Sequence, residues 1–269
     1  MKPTTSTPAA IGRRHLVIPD TQVKPNVPLD HFTHIGRYIV KMKPQVLIHI
    51  GDHWDMPSLS SYDKKGSRQM EGRRYAEDIE WGNKAMDMLM APIQEEQERL
   101  RRNKEKIWRP EMHFCLGNHE QRIVKAVDAD AQLETLMSFD DFNLEEHGWT
   151  VHPFLVPVII DGVVYAHYIV SGTMGRPVSS ARIGLTKRHQ SFVMGHVQQR
   201  DIAFANKADG SSITGVFLGI CYQHDEGYLT PQTNTEQTWS GVWLLHDVQD
   251  GKFDVMPVSL DWLRRKYGN

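Results

Sequence analysis

One almost continuously apolar run ends in a glycine and a carboxylate, Val46-Leu47-Ile48-His49-Ile50-Gly51-Asp52. Such a run is typical of a strand whose two faces are both covered, as in a parallel or mixed sheet between other layers. The carboxyl end of such a strand opens onto a crevice, where open α/β sheets hold their ligands. Asp52 is therefore the first candidate site residue.

The same arrangement, a strand followed by polar side chains, recurs along the chain. The further examples are His15-Leu16-Val17-Ile18-Pro19 before Asp20, Met112-His113-Phe114-Cys115-Leu116 before Gly117-Asn118-His119-Glu120, and Phe192-Val193-Met194 before Gly195-His196. Repetition of this pattern predicts one site assembled from several strand ends.

The composition limits the class of protein. The chain has 269 residues with 31 Lys and Arg against 33 Asp and Glu, so its formal net charge is −2 and any polyanion must be bound locally. Only Cys115 and Cys221 are present, which favours a reduced, cytoplasmic protein over a disulfide scaffold. No stretch approaches the roughly 18 apolar residues of a membrane span, so no membrane partner is expected.

Domain organisation follows from the pattern of elements. We expect a flexible tail over residues 1–14 and a single domain over 15–269, with a helical insertion at about 56–110. Residues 73–106 are rich in Glu, Arg, Lys, Met and Ala, which predicts a helical hairpin or one helix kinked near Pro92. This insertion either stands beside or over the site, or packs on the sheet as a helical layer.

The second half of the chain is rich in short strands. Residues 122–137 are predicted to form a helix, and strands are expected over 151–160, 163–170 and five shorter segments up to residue 257. Asp161-Gly162 and Asp250-Gly251 are typical of tight hairpin turns. The expected fold class is α/β, a two-sheet β-sandwich flanked by helices.

The polar residues at the strand ends are suited to binding metal ions. The Asp52 carboxylate can bridge two cations, and Asp20 supplies a second carboxylate. Asn118 offers a carbonyl oxygen, while His167 and His196 offer imidazole nitrogens. This mixed nitrogen and oxygen set suits Mn, Fe, Zn or Mg. His167 is alternatively a structural histidine, since the chain has 14 of them.

In these residues the chain resembles the calcineurin-like metallophosphoesterase superfamily, which includes protein phosphatases, nucleases of the SbcD type and cyclic-nucleotide phosphodiesterases. The family pattern is Asp-x-His, Gly-Asp, Gly-Asn-His followed by Asp or Glu, a lone His, and Gly-His-x-His. The corresponding residues are, in the same order, Asp20-Thr21-Gln22, Gly51-Asp52, Gly117-Asn118-His119-Glu120, His167 and Gly195-His196-Val197-Gln198. The resemblance covers most of the chain and extends to phage and bacterial members.

Two positions depart from this pattern together. Gln22 and Gln198 stand where the family usually has histidines on the same one of its two metals. A glutamine amide oxygen is a harder and weaker donor than imidazole, which favours Mn or Mg over Zn. Either this first metal is weakly bound, or the site has become mononuclear.

The resemblance implies a four-layer αββα fold and two divalent metal ions per chain, with Mn or Mg preferred and Zn, Fe or Ni as alternatives. Two such ions clamp a phosphate oxygen and activate a bridging water for in-line attack. It further implies that His119 protonates the leaving oxygen, with Glu120 orienting it. Glu120 is alternatively an acid placed at a helix start.

Other candidate residues concern the substrate. His53 and Trp54 follow Asp52 and are expected to line the cleft, where Trp54 either stacks a nucleobase or fills a gap beneath the insertion. Lys187 and Arg188 precede the strand that ends at His196 and are candidates for contacting a substrate phosphate, or else lie on a solvated face.

The predicted function is metal-dependent hydrolysis of a phosphoester, with a nucleic-acid or nucleotide phosphodiester favoured as substrate. The resemblance to the nuclease branch and the basic segments of the insertion support that preference. Two alternatives stay open: a phosphomonoesterase acting on a protein or small molecule, and a non-catalytic binding protein with a degenerate metal site.

Overall fold

A computed structural model describes residues 11–61, 66–224 and 239–268. Over these residues the protein is mixed α/β, with two sheets and five helices. The strands are β1 (Arg13–Ile18), β2 (Val46–His49), β3 (Glu111–Cys115), β4 (Thr150–His152), β5 (Val158–Ile160), β6 (Val163–Ala166), β7 (Phe192–Met194), β8 (Arg200–Asn206), β9 (Ser212–Leu218), β10 (Gly241–Gln249) and β11 (Lys252–Ser259). The helices are α1 (Asp30–Met42), α2 (Tyr75–Arg102), α3 (Arg122–Ala129), α4 (Ala181–Arg188) and α5 (Leu260–Tyr267).

The first sheet has six strands in the order β11-β10-β1-β2-β3-β4. Strands β1 to β4 run parallel, with His15 opposite Val46 and Val46 opposite Glu111, while β10 and β11 are antiparallel neighbours at one side. The carboxyl ends of the parallel strands therefore meet at one edge of the sheet.

The second sheet has five strands in the order β5-β6-β7-β9-β8. Strands β6, β7 and β9 are parallel, and β5 and β8 are antiparallel strands at the two sides. The predicted turn at Asp161-Gly162 joins β5 to β6, with positive φ values of 50° and 82° at its two central residues. This geometry is that of the two-residue turns that glycine favours.

Three apolar clusters place the helices and sheets in layers. One cluster joins the facing sides of the two sheets and includes Val17 and Ile48 from the first and Tyr165 and Val216 from the second. Another joins α1, α2 and α5 to the outer face of the first sheet, where alternate residues such as Leu16 and Leu47 point. The third joins α4 to the outer face of the second sheet. The expected combination of two sheets with flanking helices is confirmed at this level.

The insertion contains one long helix, α2, rather than a hairpin, and Pro92 lies inside it. This helix packs closely on α1: a Cβ atom at Gly36 would lie 2.4 Å from the carbonyl oxygen of Leu89. Its buried face includes Met86 and Ile93, which belong to the apolar cluster beneath α1. Helix α2 therefore packs on the sheet as a helical layer, which is one of the two placements expected for the insertion. Residues 62–65 of the insertion lie outside the described residues.

Several predicted boundaries were wrong. Strand β1 begins at Arg13, so the expected tail over 1–14 is too long, and residues 1–10 lie outside the described part of the chain. Helix α3 ends at Ala129 rather than at residue 137, because Asp130 adopts an extended φ of −148° and its side chain accepts the backbone N–H of Gln132. Among the described residues, no helix is both long and apolar enough to cross a membrane.

The chain also crosses from one sheet to the other more often than the sequence of predicted strands indicated. The predicted strand over 151–160 is two strands in different sheets, β4 and β5, separated by a segment that contains Pro153 and Pro157. Strands β10 and β11 return to the first sheet instead of extending the second. The second half of the chain therefore contributes to both sheets.

Candidate metal centre

The predicted ligands meet where the two sheets present the carboxyl ends of their parallel strands. Asp20, Asp52 and Asn118 follow β1, β2 and β3, and His167 and His196 follow β6 and β7. Backbone hydrogen bonds hold the connecting segments together: the Gln22 N–H donates to the Asp52 carbonyl at 2.8 Å, and the Gly195 N–H donates to the His167 carbonyl at 2.9 Å.

Four side chains converge at this edge, and we refer to Asp52, Asn118, His167 and His196 as the metal-ligand cluster. Ligand atoms of Asp52 and the two histidines all lie within 4.8 Å of one another. Asn118 Oδ1 is 2.9 Å from His167 Nε2 and 2.7 Å from His196 Nδ1. Asp52 Oδ2 is 3.2 Å from His167 Nε2. This group could hold a metal ion.

The donor set fits a divalent cation. His167 Nδ1 donates to the Ile50 carbonyl at 2.9 Å, so in the neutral ring the Nε2 lone pair points at the cluster. That nitrogen faces oxygens of Asp52 and Asn118, which are acceptors. Such converging acceptors are satisfied either by protonation of the ring or by a cation. A histidine whose second nitrogen donates to a backbone carbonyl is also the usual arrangement for metal ligands.

Electrostatics around Asp52 reflect this convergence. Burial alone would raise the pKa of the Asp52 carboxyl, but the neighbouring His119 and His167 hold that pKa well below its usual range. Burial lowers the pKa of His167, yet the charge and hydrogen bond of Asp52 outweigh it and raise the pKa to about 9. Asp52 is therefore ionised and already attracts positive charge.

The backbone at the cluster adopts conformations that L residues rarely use. The φ values of Gln22, Asp52 and His196 are 39°, 49° and 65°. A non-glycine residue in this region costs about 1 to 3 kcal/mol unless its surroundings hold it there, and such residues concentrate at functional sites. Three of the seven predicted metal ligands carry this strain.

Two glycines allow the ligands to approach closely. A Cβ atom at Gly117 would lie 2.1 Å from Asp52 Oδ1, and one at Gly195 would lie 2.2 Å from Asp20 Oδ1. Neither contact is sterically possible, so any side chain at these positions would displace a carboxylate. Close packing against a carboxylate thus explains the glycine in both Gly117-Asn118-His119 and Gly195-His196.

Asp20, Gln22 and Gln198 form the altered half of the predicted ligand set. Both oxygens of buried Asp20 accept the His196 N–H, at 3.1 and 2.9 Å, and burial raises the pKa of its carboxyl to about 7. Gln22 is buried beside Asp52, and Gln198 is half-buried two residues after His196. Asp20 lies outside the group of three residues whose ligand atoms are mutually within 4.8 Å.

His119 lies beside the cluster, with its Nε2 atom 3.7 Å from Asp52 Oδ2. Its Nδ1 atom is 2.7 Å from Asp55 Oδ1 and 2.9 Å from the Asp55 carbonyl. Burial lowers the pKa of His119, but Asp52 and the hydrogen bond to Asp55 raise it to about 9. The guanidinium of Arg122 is 3.3 Å from Nε2 and donates to the Asp55 and Met56 carbonyls. His119 is thus held in one orientation, with Nδ1 against Asp55 and Nε2 toward Asp52 and Arg122.

Glu120 has a different role from the predicted one. Its fully buried carboxylate accepts the backbone N–H groups of Asp52, His53, Trp54 and Gly117 at 2.6–3.1 Å. It therefore holds the loop after β2 against the loop after β3, and Asp55 is the carboxylate that hydrogen bonds to His119.

His53 and Trp54 do not lie at the surface of a cleft, because both are fully buried. The His53 ring is hydrogen bonded to Thr21 Oγ1 at 2.8 Å and to the Gly82 carbonyl at 3.0 Å. Trp54 stacks on Phe142, with ring centroids 4.1 Å apart. This corrects the expectation of substrate contact for both residues and agrees with the alternative in which Trp54 fills a gap beneath the insertion.

Lys187 and Arg188 are exposed at the end of α4, which leads into the amino end of β7. His196 follows the carboxyl end of the same strand. The structure does not bring these two cations into the cluster, and Lys187 instead donates to the carbonyl of Ser171. Their contact with a substrate phosphate stays a prediction.

Sequence reasoning missed two residues near the cluster, Arg122 and Tyr168. Arg122 lies three positions after His119, and its backbone N–H donates to the His119 carbonyl, so the two residues share one turn. That spacing was the available signal. The backbone reversal between Asp52 and Met56, with φ values of 49° and 53°, has no comparable sequence mark.

No model of a protein family matches this chain, and a comparison with curated proteins also gives no match.

Proposed function

We propose that this protein is a metal-dependent phosphoesterase that hydrolyses phosphodiester bonds, in the four-layer αββα fold of the calcineurin-like superfamily. The observation that carries the proposal is the position of His119. Its Nε2 atom lies beside the metal-ligand cluster, 3.7 Å from Asp52 Oδ2, and its Nδ1 atom contacts the Asp55 carboxylate. A structural metal site has no need of an oriented proton donor at its edge.

The metal-ligand cluster would hold one divalent ion, and Asp20, Gln22 and Gln198 a second, weaker one. Bound ions would supply Lewis acidity toward a phosphate oxygen and a water of lowered pKa. The chain's own contribution is to bring together four ligands of mixed oxygen and nitrogen type, Asp52, Asn118, His167 and His196. The two glutamines favour Mn or Mg as the native ions.

His119 would protonate the leaving oxygen of the ester. Asp55 holds its Nδ1 atom, so Nε2 is the atom directed toward the substrate. A histidine in this role typically contributes about 100- to 10,000-fold to a rate. Arg122 places a guanidinium 3.3 Å from Nε2, where its charge would favour a phosphate oxygen.

The preference for nucleic acid or nucleotides rests on the resemblance to the nuclease branch of the superfamily and on the basic segments of the insertion. With a net charge of −2, recognition has to come from groups at the site, such as Arg122.

The experiment is hydrolysis of bis-p-nitrophenyl phosphate and of p-nitrophenyl phosphate by metal-stripped protein supplied with Mn, Mg, Zn or no metal. We expect metal-dependent cleavage, faster on the diester. Asp52→Asn should lose both metal binding and turnover, whereas the exposed Asp254→Asn should lose neither. Strong preference for the monoester would favour a phosphomonoesterase, and no cleavage with any metal would overturn the proposal.

A further inference from the structure

Two half-buried aromatic rings stand beside the metal-ligand cluster and have no part in the mechanism proposed above. The ring centroid of Tyr168 is 4.7 Å from that of His196 and 5.8 Å from that of His167. Phe154 lies 5.6 Å from Tyr168 in an edge-to-face arrangement and 6.3 Å from His167. We call Tyr168 and Phe154 the aromatic wall.

The aromatic wall continues into a short hairpin with exposed apolar side chains. Val170 pairs with Pro177 across this hairpin, and the Tyr168 hydroxyl donates to the Gly175 carbonyl at 3.2 Å, which fixes the ring. Val170 is 38% exposed and Met174 is 77% exposed. The fixed Tyr168 ring beside the two histidines is therefore followed along the chain by exposed apolar side chains.

His119 approaches the cluster at Asp52, whereas Tyr168 contacts the rings of His196 and His167. The contacts run in the order Tyr168, His196 and His167, Asp52, and then His119 with Arg122. A phosphodiester carries two substituents on its phosphorus. If His119 protonates the departing one, the substituent that stays on the phosphate is an equatorial group and is free to extend toward the two histidine rings that the aromatic wall contacts.

We propose that the aromatic wall is a subsite for a nucleobase, carried by the substituent that remains on the phosphate. The inference rests on the proposed function for the position of the phosphate. Aromatic side chains bind bases by stacking, which needs no charge and tolerates every base because each has a π-face. A neutral, fixed tyrosine ring next to a phosphate site has the chemistry to recognise a nucleotide rather than a simple alkyl or sugar phosphate.

The competing explanation is that Tyr168 only packs against His196 and keeps that ligand in place. The two explanations differ in what is lost when the ring is removed. A packing role affects metal binding and every phosphate ligand equally, whereas a base subsite affects only ligands that carry a base.

The experiment is a calorimetric titration of Mn-supplied protein with adenosine 5′-monophosphate and with ribose 5-phosphate, which differ only in the base. We expect the nucleotide to bind about 5- to 150-fold more tightly, the range that stacking of one base provides. Tyr168→Leu should abolish that difference without changing the affinity for ribose 5-phosphate or Mn. Tyr168→Phe should keep it, and so should Phe204→Leu, which removes an exposed aromatic ring on β8.

Equal binding of the two ligands by the wild-type protein would overturn the inference. An equal loss for both ligands and for Mn in Tyr168→Leu would also overturn it, because that result assigns Tyr168 to packing. Because binding is measured and not turnover, the outcome is separate from that of the proposed function: a base preference without hydrolysis of any ester would leave the subsite standing and reject the enzyme.

Discussion

The Asp55 carboxylate lies 2.7 Å from Nδ1 of His119, and this contact joins the loop after β2 to the loop after β3 beside Asp52. Asp55 is nearly buried, and the side chain of Arg122 also turns toward it, with a guanidinium nitrogen 2.7 Å from the Asp55 carbonyl. The pair fixes which nitrogen of His119 faces the metal-ligand cluster. Asp55 is thus a positioning residue that acts through His119.

Replacing Asp55 by Asn should lower kcat about 10- to 100-fold while metal affinity stays unchanged, because the amide keeps the shape of the side chain but no longer stabilises a protonated His119. Steady-state kinetics measures kcat, and calorimetry measures the metal affinity. Asp87→Asn is the matched control, since Asp87 pairs with His147 at 3.1 Å on the surface. A kcat equal to that of the wild type would exclude the orienting role.

Metal binding should proceed in two separated phases. The complete set of Asp52, Asn118, His167 and His196 should saturate first, and activity should rise only at higher Mn or Mg concentration, as the position with Gln22 and Gln198 fills. Metal calorimetry and rate measurements on the same samples check this. The double substitution Gln22→His and Gln198→His should merge the phases. Full activity at one equivalent of metal in the wild type would refute the two-metal account.

Glu120 should be more important for stability than for the chemical step. Its buried carboxylate accepts four backbone N–H groups, and hydrogen bonds to a charged group contribute about 1.5 to 3 kcal/mol each in net terms. Glu120→Gln places an amide among those donors and should lower the free energy of unfolding by about 2 to 4 kcal/mol. Urea unfolding measures this, with exposed Glu134→Gln as control. A change within 0.5 kcal/mol, expected of surface sites, would contradict it.

Acid should destabilise the protein through His15. This buried ring bonds Tyr165 and Asp161, at 2.7 and 2.8 Å, and burial lowers its pKa to about 4. Between pH 6.5 and 4 the unfolded chain takes up a proton at His15 and the folded chain does not, so stability falls as the pH falls. The contribution is about 2 to 3 kcal/mol at pH 4.5 relative to pH 7.

Urea unfolding of the wild type and of His15→Gln at the two pH values isolates that contribution. The wild type should lose more stability on acidification than the variant, by about the stated amount. Exposed His189→Asn should behave as the wild type, and its asparagine suits the left-handed backbone at that position. Parallel losses in wild type and His15→Gln would show that His15 titrates normally.

Much of the candidate site was predictable because it follows from strands and their ends. Apolar runs locate β1, β2, β3 and β7, and the residue after each parallel strand must lie at the same edge as its neighbours. Asp52, Asn118 and His196 were therefore predicted together before any pairing was known, whereas His167 lay inside a longer predicted strand, 163–170, that ends at Ala166. Roles that depend on how a loop folds back were not predictable, which is why the contacts of Asp55 and Glu120 with their neighbours had to be observed.

The errors in the fold have a related cause. Strand pairing is a long-range property, so nothing local in β10 indicates that it lies beside β1 and not beside β9. The division of residues 151–160 was marked by Pro153 and Pro157, since proline removes a donor from a sheet, and that signal could have been used. His53 and Trp54 follow Asp52 directly, but the strained turn at Asp52 directs them into the core.

The decisive measurement is the rate at which Mn-supplied His119→Ala cleaves bis-p-nitrophenyl phosphate, with Mn affinity measured on the same sample. If His119 donates a proton beside the metal-ligand cluster, the rate should be at least about 100-fold below that of the wild type, and Mn affinity should not change. An unchanged rate would exclude His119 as the proton donor.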